Sequence, residues 1–230
     1  MTHPLDRPAW NALNGPHAAL AEGGALARRY RPDIIPFAAA RDNSPESLAA
    51  LAALPRPGEV MVLVETSRPA VPPGFNAVRT GSLVQMILIR TPGPVSDTRI
   101  APLIEADAEE MLALARLTEP GPFTLKAQTL GAFYAIRVDG RIAAMAGERM
   151  RQPGFAELSG VCVHPDFRGR GLARLLSVFV THRILERGQT PFLHAWEHNT
   201  AAITLYETIG YELRVTMNLA AIKMKESAAA

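Results

Sequence analysis

One stretch of the sequence decides the fold: Val161-Cys162-Val163-His164-Pro165-Asp166-Phe167-Arg168-Gly169-Arg170-Gly171-Leu172-Ala173. It begins as an apolar strand and ends where an apolar-periodic helix starts. The first turn of a helix presents backbone N–H groups without intrahelical partners, together with the positive end of the helix dipole. Glycine lets an anion approach that backbone closely, and Arg168 and Arg170 add positive charge. The stretch therefore predicts a pyrophosphate-binding turn between a strand and a helix.

A second motif follows farther along the sequence, after the helix that the first motif starts. It reads Asn199-Thr200-Ala201-Ala202-Ile203-Thr204-Leu205-Tyr206-Glu207, and Gly210-Tyr211 follows it. The two motifs, in this order, resemble the signatures of the GNAT superfamily of N-acetyltransferases. Arg168, Gly171 and Ala173 match its acetyl-CoA loop, which has Arg or Gln, two residues, Gly, one residue, and Gly or Ala. The resemblance covers roughly residues 99–223.

The resemblance implies an α/β (α+β) fold, the GNAT fold, in which helices flank a mixed, mostly antiparallel sheet. Asp139-Gly140, between two apolar stretches, is a strong hairpin signal. Apolar spacing predicts a long helix over residues 169–187, and residues 211–222 are expected to form a closing hairpin. We therefore assign residues 96–226 to a GNAT acetyltransferase domain.

Residues 1–95 are expected to form a smaller α/β unit. A helix is predicted over 17–30, strands over 60–65 and 83–90, and a proline-rich linker over 91–97. A poorly matching half before the working half is similar to the glycine N-acyltransferase-like branch of the superfamily. A degenerate GNAT-like copy is therefore one interpretation of this unit, and the sequence does not settle it.

The resemblance implies acetyl-CoA as the acyl donor. The edge of the strand ending at Val163 would face the pantetheine arm, and the glycine-rich turn would hold the pyrophosphate. The residues expected to bind acetyl-CoA are Val161, Cys162, Val163, Arg168, Gly169, Arg170, Gly171, Leu172, Ala173, Arg174 and Asn199. Asn199 is also suited to cap the helix that follows it.

Glu157 is the first candidate for the base that an amine acceptor needs, since an alkylamine with a pKa of about 10 is protonated at neutral pH. It lies eleven positions before Arg168, where the histone-modifying branch of the superfamily has its catalytic glutamate. Strand alternation predicts that Glu157 shares a face with Ser159, Val161 and Val163. The alternative is a salt bridge with a neighbouring arginine.

His194 and Tyr206 complete the candidate catalytic residues. His194 stands five residues before Asn199, a position that the branch acetylating ribosomal-protein N-termini uses for an acid-base residue, and a buried core histidine is the alternative. Tyr206 lies seven residues after Asn199, two helical turns along, and matches the family's general acid. A core tyrosine is the alternative for Tyr206.

Composition limits the partners. The formal net charge of +2 is too small to indicate nucleic-acid or membrane binding, and the single cysteine, Cys162, excludes an intramolecular disulfide. Cys162 lies within an apolar strand and is expected to be buried. We expect a cytoplasmic protein without a metal site, which acts on a small-molecule or peptide amine. The oligomeric state stays open, and a homodimer is one arrangement that the resemblance allows.

Two questions stay open at this level. A non-catalytic acyl-CoA-binding or scaffold module is the alternative function, and a longer acyl chain is compatible with the motifs. The acceptor is expected to meet residues 118–123 and 149–154. Arg149 and Arg151 there would suit a carboxylate, or would merely be solvated.

Overall fold

The computed structural model describes residues 3–225. Its α-helices are α1 Pro8–Leu13, α2 Pro45–Ala52, α3 Ala108–Thr118, α4 Leu172–Leu185 and α5 Thr200–Thr208. Its strands are β1 Ala21–Gly23, β2 Ala27–Tyr30, β3 Ala38–Ala40, β4 Val60–Glu65, β5 Phe75–Leu88, β6 Ile100–Leu103, β7 Phe133–Val138, β8 Arg141–Gln152, β9 Phe155–Val163, β10 Thr190–Trp196 and β11 Tyr211–Met224.

The chain folds into two compact units. Among the described residues, the first contains 3–32, Pro36–Leu83 and 215–225, and the second contains Asp33–Ile35 and Val84–Arg214. The division does not coincide with the boundary predicted near residue 95, because β5 and β11 each contribute residues to both units. The interpretation of the first unit as a degenerate copy stays a prediction.

The first unit contains the antiparallel sheet β1-β2-β3 and the antiparallel pairing of β4 with β11. The helix predicted over residues 17–30 is wrong, since only Ala18–Leu20 forms a short 3₁₀ turn and two strands follow. Gly23 has φ +108°, a conformation that an ordinary helical residue does not adopt, and it ends β1 at a tight turn.

The second unit carries the sheet in which the candidate site lies. Its strand order is β11-β5-β10-β9-β8-β7-β6, with antiparallel pairs from β6 to β9 and a parallel pair between β9 and β10. The expected mixed, mostly antiparallel sheet flanked by helices is therefore confirmed. The closing hairpin predicted over residues 211–222 is wrong, because these residues form one continuous strand.

The β7–β8 hairpin follows the prediction from Asp139-Gly140. Both turn residues have positive φ, 51° at Asp139 and 78° at Gly140, as the common two-residue hairpin turn requires. The hairpin places β8 beside β9, so that β8 supplies one neighbour of the strand that leads to the glycine-rich turn.

The two faces of this sheet bury different helices. Helix α4 packs on one face through Leu176, Val180 and Ile184, whose burial contributes about 1.5–3 kcal/mol each. Helix α3 packs on the other face through Met111 and Leu114. We call these the α4 face and the α3 face.

A β-bulge in β9 changes which side chains share a face. The register with β8 shifts between Met145 and Gly147, where β9 has one extra residue, and Gly160 has φ +61°. Val161 and Val163 consequently point to the α4 face, whereas Cys162 lies in the α3 cluster.

The prediction that Glu157 shares a face with Val161 and Val163 is therefore wrong. Before the bulge, Ala156 and Leu158 occupy the α4 face, so Glu157 points to the α3 face. The extra residue reverses the alternation beyond it.

Candidate active site

Strands β9 and β10 diverge after a short parallel pairing. Only Thr190–Phe192 pair with residues 155–157, although β9 continues to Val163 and β10 to Trp196. The other edge of β9 pairs with β8 as far as Val163. Beyond Glu157, the edge of β9 that faces β10 therefore has no strand partner among residues 3–225. Val161, Cys162 and Val163 lie on this edge, as the prediction requires.

The glycine-rich turn follows that open edge directly. A 3₁₀ turn, Pro165–Phe167, leads to Gly169 and Gly171, whose φ angles are 75° and 73°. Gly171 is the N-cap of α4, and no side chain caps the helix there. Since the first turn of an uncapped helix keeps its N–H groups available, the turn is suited to bind an anion.

The side chains around the turn agree with this role. Arg168 and Arg170 are exposed, and the guanidinium carbon of Arg170 lies 5.1 Å from the ring centroid of Phe167. Leu172 is buried in the α4 core, so it can contribute only its backbone N–H. Ala173 and Arg174 complete the first helical turn.

These donors fit the chemistry of acetyl-CoA. An extended arm with alternating amide groups can pair with an open strand edge, and a pyrophosphate suits a row of N–H groups with adjacent arginines. An added Cβ at Gly169 or Gly171 would meet open space, so the turn is accessible.

A row of polar side chains crosses the α3 face at the point where β9 and β10 diverge. We call it the polar row, and its members are Arg214, Gln85, His194, Glu157 and Arg149. They come, in this order, from the neighbouring strands β11, β5, β10, β9 and β8. Each strand contributes one member.

Within the polar row, Glu157 accepts hydrogen bonds from three residues. Its Oε1 lies 2.6 Å from Nη2 of Arg149 and 2.7 Å from Nδ1 of His194. Its Oε2 accepts hydrogen bonds from Nε of Arg149 at 2.9 Å and from the N–H of Met150 at 3.2 Å. The side chain of Glu157 is 0% exposed.

The donors in the row fix the tautomer of His194. The Nε of Arg214 can only donate, so it bonds to Oε1 of Gln85 and leaves the Gln85 amide N–H facing Nε2 of His194, 3.0 Å away. Nε2 therefore accepts, and Nδ1 carries the proton that is donated to Glu157. This pattern corresponds to a neutral imidazole.

Glu157 is held as a carboxylate. Burial favours the neutral acid, but the adjacent charge of Arg149 and the hydrogen bonds from Arg149 and His194 outweigh it, so the pKa of Glu157 lies below its usual range. The salt bridge considered as the alternative for Glu157 is thus present. Direct contact with an amine is not available to a carboxylate that is fully enclosed.

Tyr206 lies on the α4 face, opposite to Glu157, and is 8% exposed. Burial, with a smaller contribution from Cys162, raises the pKa of its hydroxyl above the usual range. The hydroxyl therefore keeps its proton at neutral pH. Asn199 caps α5, since its Oδ1 accepts the N–H of Ala202 at 3.2 Å, which confirms the predicted capping.

Cys162 is 2% exposed, as expected from its place in the strand. Burial raises the pKa of the thiol to about 11, and a hydrogen bond to Thr118 opposes the shift. The thiol is neutral at physiological pH, which does not favour a nucleophilic role. Its contribution to the open edge is therefore its backbone.

A pocket on the α3 face adjoins the polar row. Its free space is small, about that of one water molecule. Its lining includes Ile35, Pro120, Phe123, Leu130, Phe133 and Arg149. Pro120, Phe123 and Arg149 thus lie together, and the expectation that the acceptor meets residues 118–123 and 149–154 stays a prediction. Ser159 and Gly160 of β9 form the wall nearest to the open edge.

Three contributions to this site were missed from the sequence. Gln85 and Arg214 lie in strands far from both motifs, and no local pattern marks them. Ile35 reaches the pocket because the Thr124 hydroxyl donates to the carbonyl oxygens of Asp33 and Ile34, 2.9 Å and 2.6 Å away.

Within residues 3–225, no group of three or more His, Cys, Asp and Glu side chains is arranged to hold a metal ion. None of the helices in that part of the chain combines the length and the hydrophobicity that a membrane span needs.

Comparison with known proteins places the chain among acetyltransferases. Residues 134–219 match the family described as FR47-like protein. A solved structure from Novosphingobium aromaticivorans DSM 12444, assigned to the GNAT family of acetyltransferases, is 43% identical and superposes with a TM-score of 0.92. The match covers 98% of this chain and 100% of that one.

Other similarities are more distant. A GCN5-related N-acetyltransferase from Kribbella flavida is 20% identical, with 93% of each chain covered and a TM-score of 0.62, and this likeness concerns the fold alone. A mycothiol acetyltransferase from Thermobifida fusca is 33% identical over 93 residues, which are 36% of this chain and 29% of that protein. The curated relatives are matched over 29% to 41% of their own length.

Proposed function

This chain belongs to the GNAT family of acetyltransferases, and from that premise we propose that it transfers an acetyl group from acetyl-CoA to a primary amine in a ternary complex. One observation carries the proposal. The open edge of β9 runs from the divergence of β9 and β10 directly into the uncapped first turn of α4. An acyl donor with an extended arm and a pyrophosphate fits this continuous path.

The open edge also supports the acyl-transfer step. The amine nitrogen forms a bond to the thioester carbonyl carbon, the carbon–sulfur bond breaks, and CoA leaves as a thiolate. Backbone N–H groups of residues 161–163 would stabilise the negative charge that develops on the carbonyl oxygen. Asn199 and the residues of the turn, Arg168 to Arg174, would bind and orient the donor.

Tyr206 is our candidate for the acid that protonates the departing thiolate. Its raised pKa keeps the proton in place at neutral pH, so the hydroxyl is available to donate a proton to the sulfur as the carbon–sulfur bond breaks. Its place on the α4 face puts it on the side of β9 to which Val161 and Val163 point.

For the base we propose that Glu157 and His194 act as one unit through a water molecule. A proton taken up at Nε2 of His194, in place of the hydrogen bond from Gln85, would be stabilised by the carboxylate 2.7 Å from Nδ1, the arrangement by which a carboxylate orients a catalytic histidine. A water is needed because the side chains are 0% and 3% exposed. Glu157 is then a positioning residue and not the direct acceptor.

The glycine N-acyltransferase-like branch, a cytoplasmic location and a homodimer stay predictions. The branch is proposed from the poorly matching first half of the chain, and the cytoplasmic location from the single cysteine.

The purified protein is used to test this function. Acetyl-CoA should bind saturably, and thiol should be released from it when amino acids, polyamines, aminoglycosides, simple amines and peptide N-termini are screened. Mass spectrometry should then find an N-acetylated product. Saturable binding without thiol release for any acceptor would instead support the non-catalytic acyl-CoA-binding module.

A further inference from the structure

The loop that follows α3 lies against β9 on the α3 face. The ring of Phe123 packs edge-on against Phe133, with 5.7 Å between their centroids, and lies 3.7 Å from the place that a Cβ at Gly160 would occupy. A Cβ at Gly121 would lie 3.9 Å from Nη1 of Arg149, at the end of the polar row. The free space between the loop and the strand is about that of one water molecule. The loop therefore covers the α3 side of the site.

The covered side is the one from which an acceptor amine approaches. His194 and Glu157, the proposed base unit, lie on the α3 face, whereas Tyr206, the proposed acid, lies on the α4 face. An amine that gives its proton to the base unit therefore reaches the thioester from the α3 face. Because the side chains of Glu157 and His194 are 0% and 3% exposed, a covering segment has to move before this amine enters.

The first residues of the loop have the backbone geometry of a hinge. Glu119 ends α3 with φ 49° and Gly121 has φ 127°, values that neither a helix nor a strand uses. Pro120 and Pro122 alternate with them and have no backbone N–H to donate. Residues 119–126 as a whole form neither helix nor strand. A change of backbone angles at these few positions can therefore move the loop without unfolding α3.

Side-chain contacts hold the far end of the loop closed. The Thr124 hydroxyl lies 2.6 Å from the carbonyl oxygen of Ile34 and 2.9 Å from that of Asp33. Lys126 and Asp33 form an ion pair at 2.6 Å, which contributes little because the two side chains are 55% and 48% exposed. The Thr124 hydroxyl is therefore the main contact, and the net free energy of one such hydrogen bond is small enough for reversible opening.

Resting on the proposed function, we infer that residues 119–126 are a lid that opens to admit the acceptor amine, and that Thr124 is the latch that holds the lid closed. With the lid closed, Phe123 covers Gly160 and the amine does not reach the open edge of β9. Because the acceptor binds only when the lid is open, its apparent affinity is reduced by the fraction of molecules in the open state. Weakening the latch therefore strengthens the apparent binding of the acceptor.

Cys162 reports the opening without any turnover. It is the single cysteine of the chain, is 2% exposed, and belongs to the apolar cluster against which Phe123 packs. Thr124→Val removes the hydroxyl with little change in shape, and should speed the reaction of Cys162 with N-ethylmaleimide by about 3- to 10-fold, the effect of one lost hydrogen bond. Thr124→Ser keeps the hydroxyl and should react within about twofold of the natural protein.

Gly188→Ala separates opening of the lid from a general loss of stability. Gly188 lies beyond α4 and has φ 70°, a conformation that is strained for alanine. This variant should unfold at a lower urea concentration, yet leave the reaction of Cys162 with N-ethylmaleimide within about twofold, because local opening does not require global unfolding. Equal acceleration in Gly188→Ala and Thr124→Val, or no acceleration in Thr124→Val, would overturn the inference.

The effect of the lid on acceptor binding is measured with the amine that has the highest kcat/KM in the acceptor screen. Thr124→Val should lower the KM for this amine by about 3- to 10-fold, change kcat by less than twofold, and leave the dissociation constant of acetyl-CoA unchanged. Thr124→Ser should restore the natural KM. A KM that is unchanged or higher in Thr124→Val would contradict the inference, because a damaged acceptor site gives that result.

The labelling experiment separates this inference from the proposed function. If Thr124→Val speeds the labelling of Cys162 as expected while no amine releases thiol from acetyl-CoA, the lid stands and the acetyltransferase proposal fails. If an amine is acetylated while Thr124→Val changes neither the labelling nor the KM, the acetyltransferase proposal stands and the lid fails.

Discussion

The Nδ1 atom of His194 lies 2.7 Å from Oε1 of Glu157, at the point where two parallel strands separate. The contact joins the two residues that the sequence offers as rival bases. Each is enclosed by further partners, with Arg149 on the far side of Glu157 and Gln85 on the far side of His194. The polar row thus behaves as one hydrogen-bonded unit, and changes at its ends are expected to act on its centre.

Gln85→Glu tests whether His194 takes part in proton transfer. The new carboxylate would still accept from Arg214, but it would present an acceptor to Nε2 of His194 and so favour the imidazolium. We expect the acidic limb of the kcat/KM profile to move to higher pH. An unmoved limb with an unchanged maximum would show that His194 is not part of the base.

Gln85→Leu serves as the companion change. It leaves Nε2 of His194 buried without its donor, which costs about 1–3 kcal/mol of folding free energy. Chemical denaturation should report this loss, and the acidic limb should not rise as it does for Gln85→Glu. The two variants therefore separate a positioning effect from a loss of stability.

Tyr206→Phe removes the candidate acid and little else. We expect kcat to fall by about 10²–10⁴-fold while the dissociation constant of acetyl-CoA changes less than twofold. Tyr134→Phe is the matched control, since Tyr134 packs on Phe179 in the same unit but on β7. Parallel losses in both variants, or an unaltered Tyr206→Phe enzyme, would remove Tyr206 from the mechanism.

Gly171→Ala tests the turn at the start of α4. Its φ of 73° is strained for alanine, so about 1 kcal/mol of stability should be lost, and a displaced first turn should weaken acetyl-CoA binding. Gly188→Ala imposes the same strain at φ 70° beyond the other end of α4. Isothermal titration should show weaker binding for Gly171→Ala alone. Equal affinities of the two variants for acetyl-CoA would show that the turn at Gly171 is not part of the donor site.

The pH dependence of stability should report the ionisation of Glu157. The folded protein holds its pKa below the ordinary value of 4.5, so the stabilisation is complete above that value and is lost as the pH falls below it. We expect the unfolding free energy to fall more steeply between about pH 5 and pH 3 in the natural protein than in Glu157→Gln.

At neutral pH the same Glu157→Gln variant should be about 3–5 kcal/mol less stable, because Arg149 keeps a buried charge without its partner. Urea denaturation at several pH values measures both effects. Identical acid slopes for the two proteins would exclude the buried carboxylate as the cause.

Local patterns made much of the fold predictable. The glycine-rich turn, the Asp139-Gly140 hairpin and the apolar spacing of α4 are each encoded within about twenty residues. Backbone conformation at such positions depends on the residue itself, as the positive φ angles of Gly140 and Gly171 illustrate.

The incorrect or missing predictions concern a strand in which the alternation of side chains is interrupted, and residues that are distant in the sequence but meet in the fold. One extra residue at Gly160 reverses the alternation in β9. An isolated glycine inside a strand is a signal for such a bulge, but simple alternation takes no account of it. Gln85 and Arg214 are 129 positions apart, and only the strand order brings them together. The turn and the acid could therefore be proposed from sequence, whereas the polar row and the pocket could not.

Helix α4 is the crossover that connects β9 to β10, two strands that separate from each other. A molecule bound along β9 and at the start of α4 would restrain β9 directly. It would also restrain β10, because α4 connects the two strands. Amide hydrogen exchange in the crossover and in the far half of β10 should then slow together upon donor binding, although the far half of β10 need not touch the donor. Binding of the donor would therefore reduce the flexibility of both diverging strands at once.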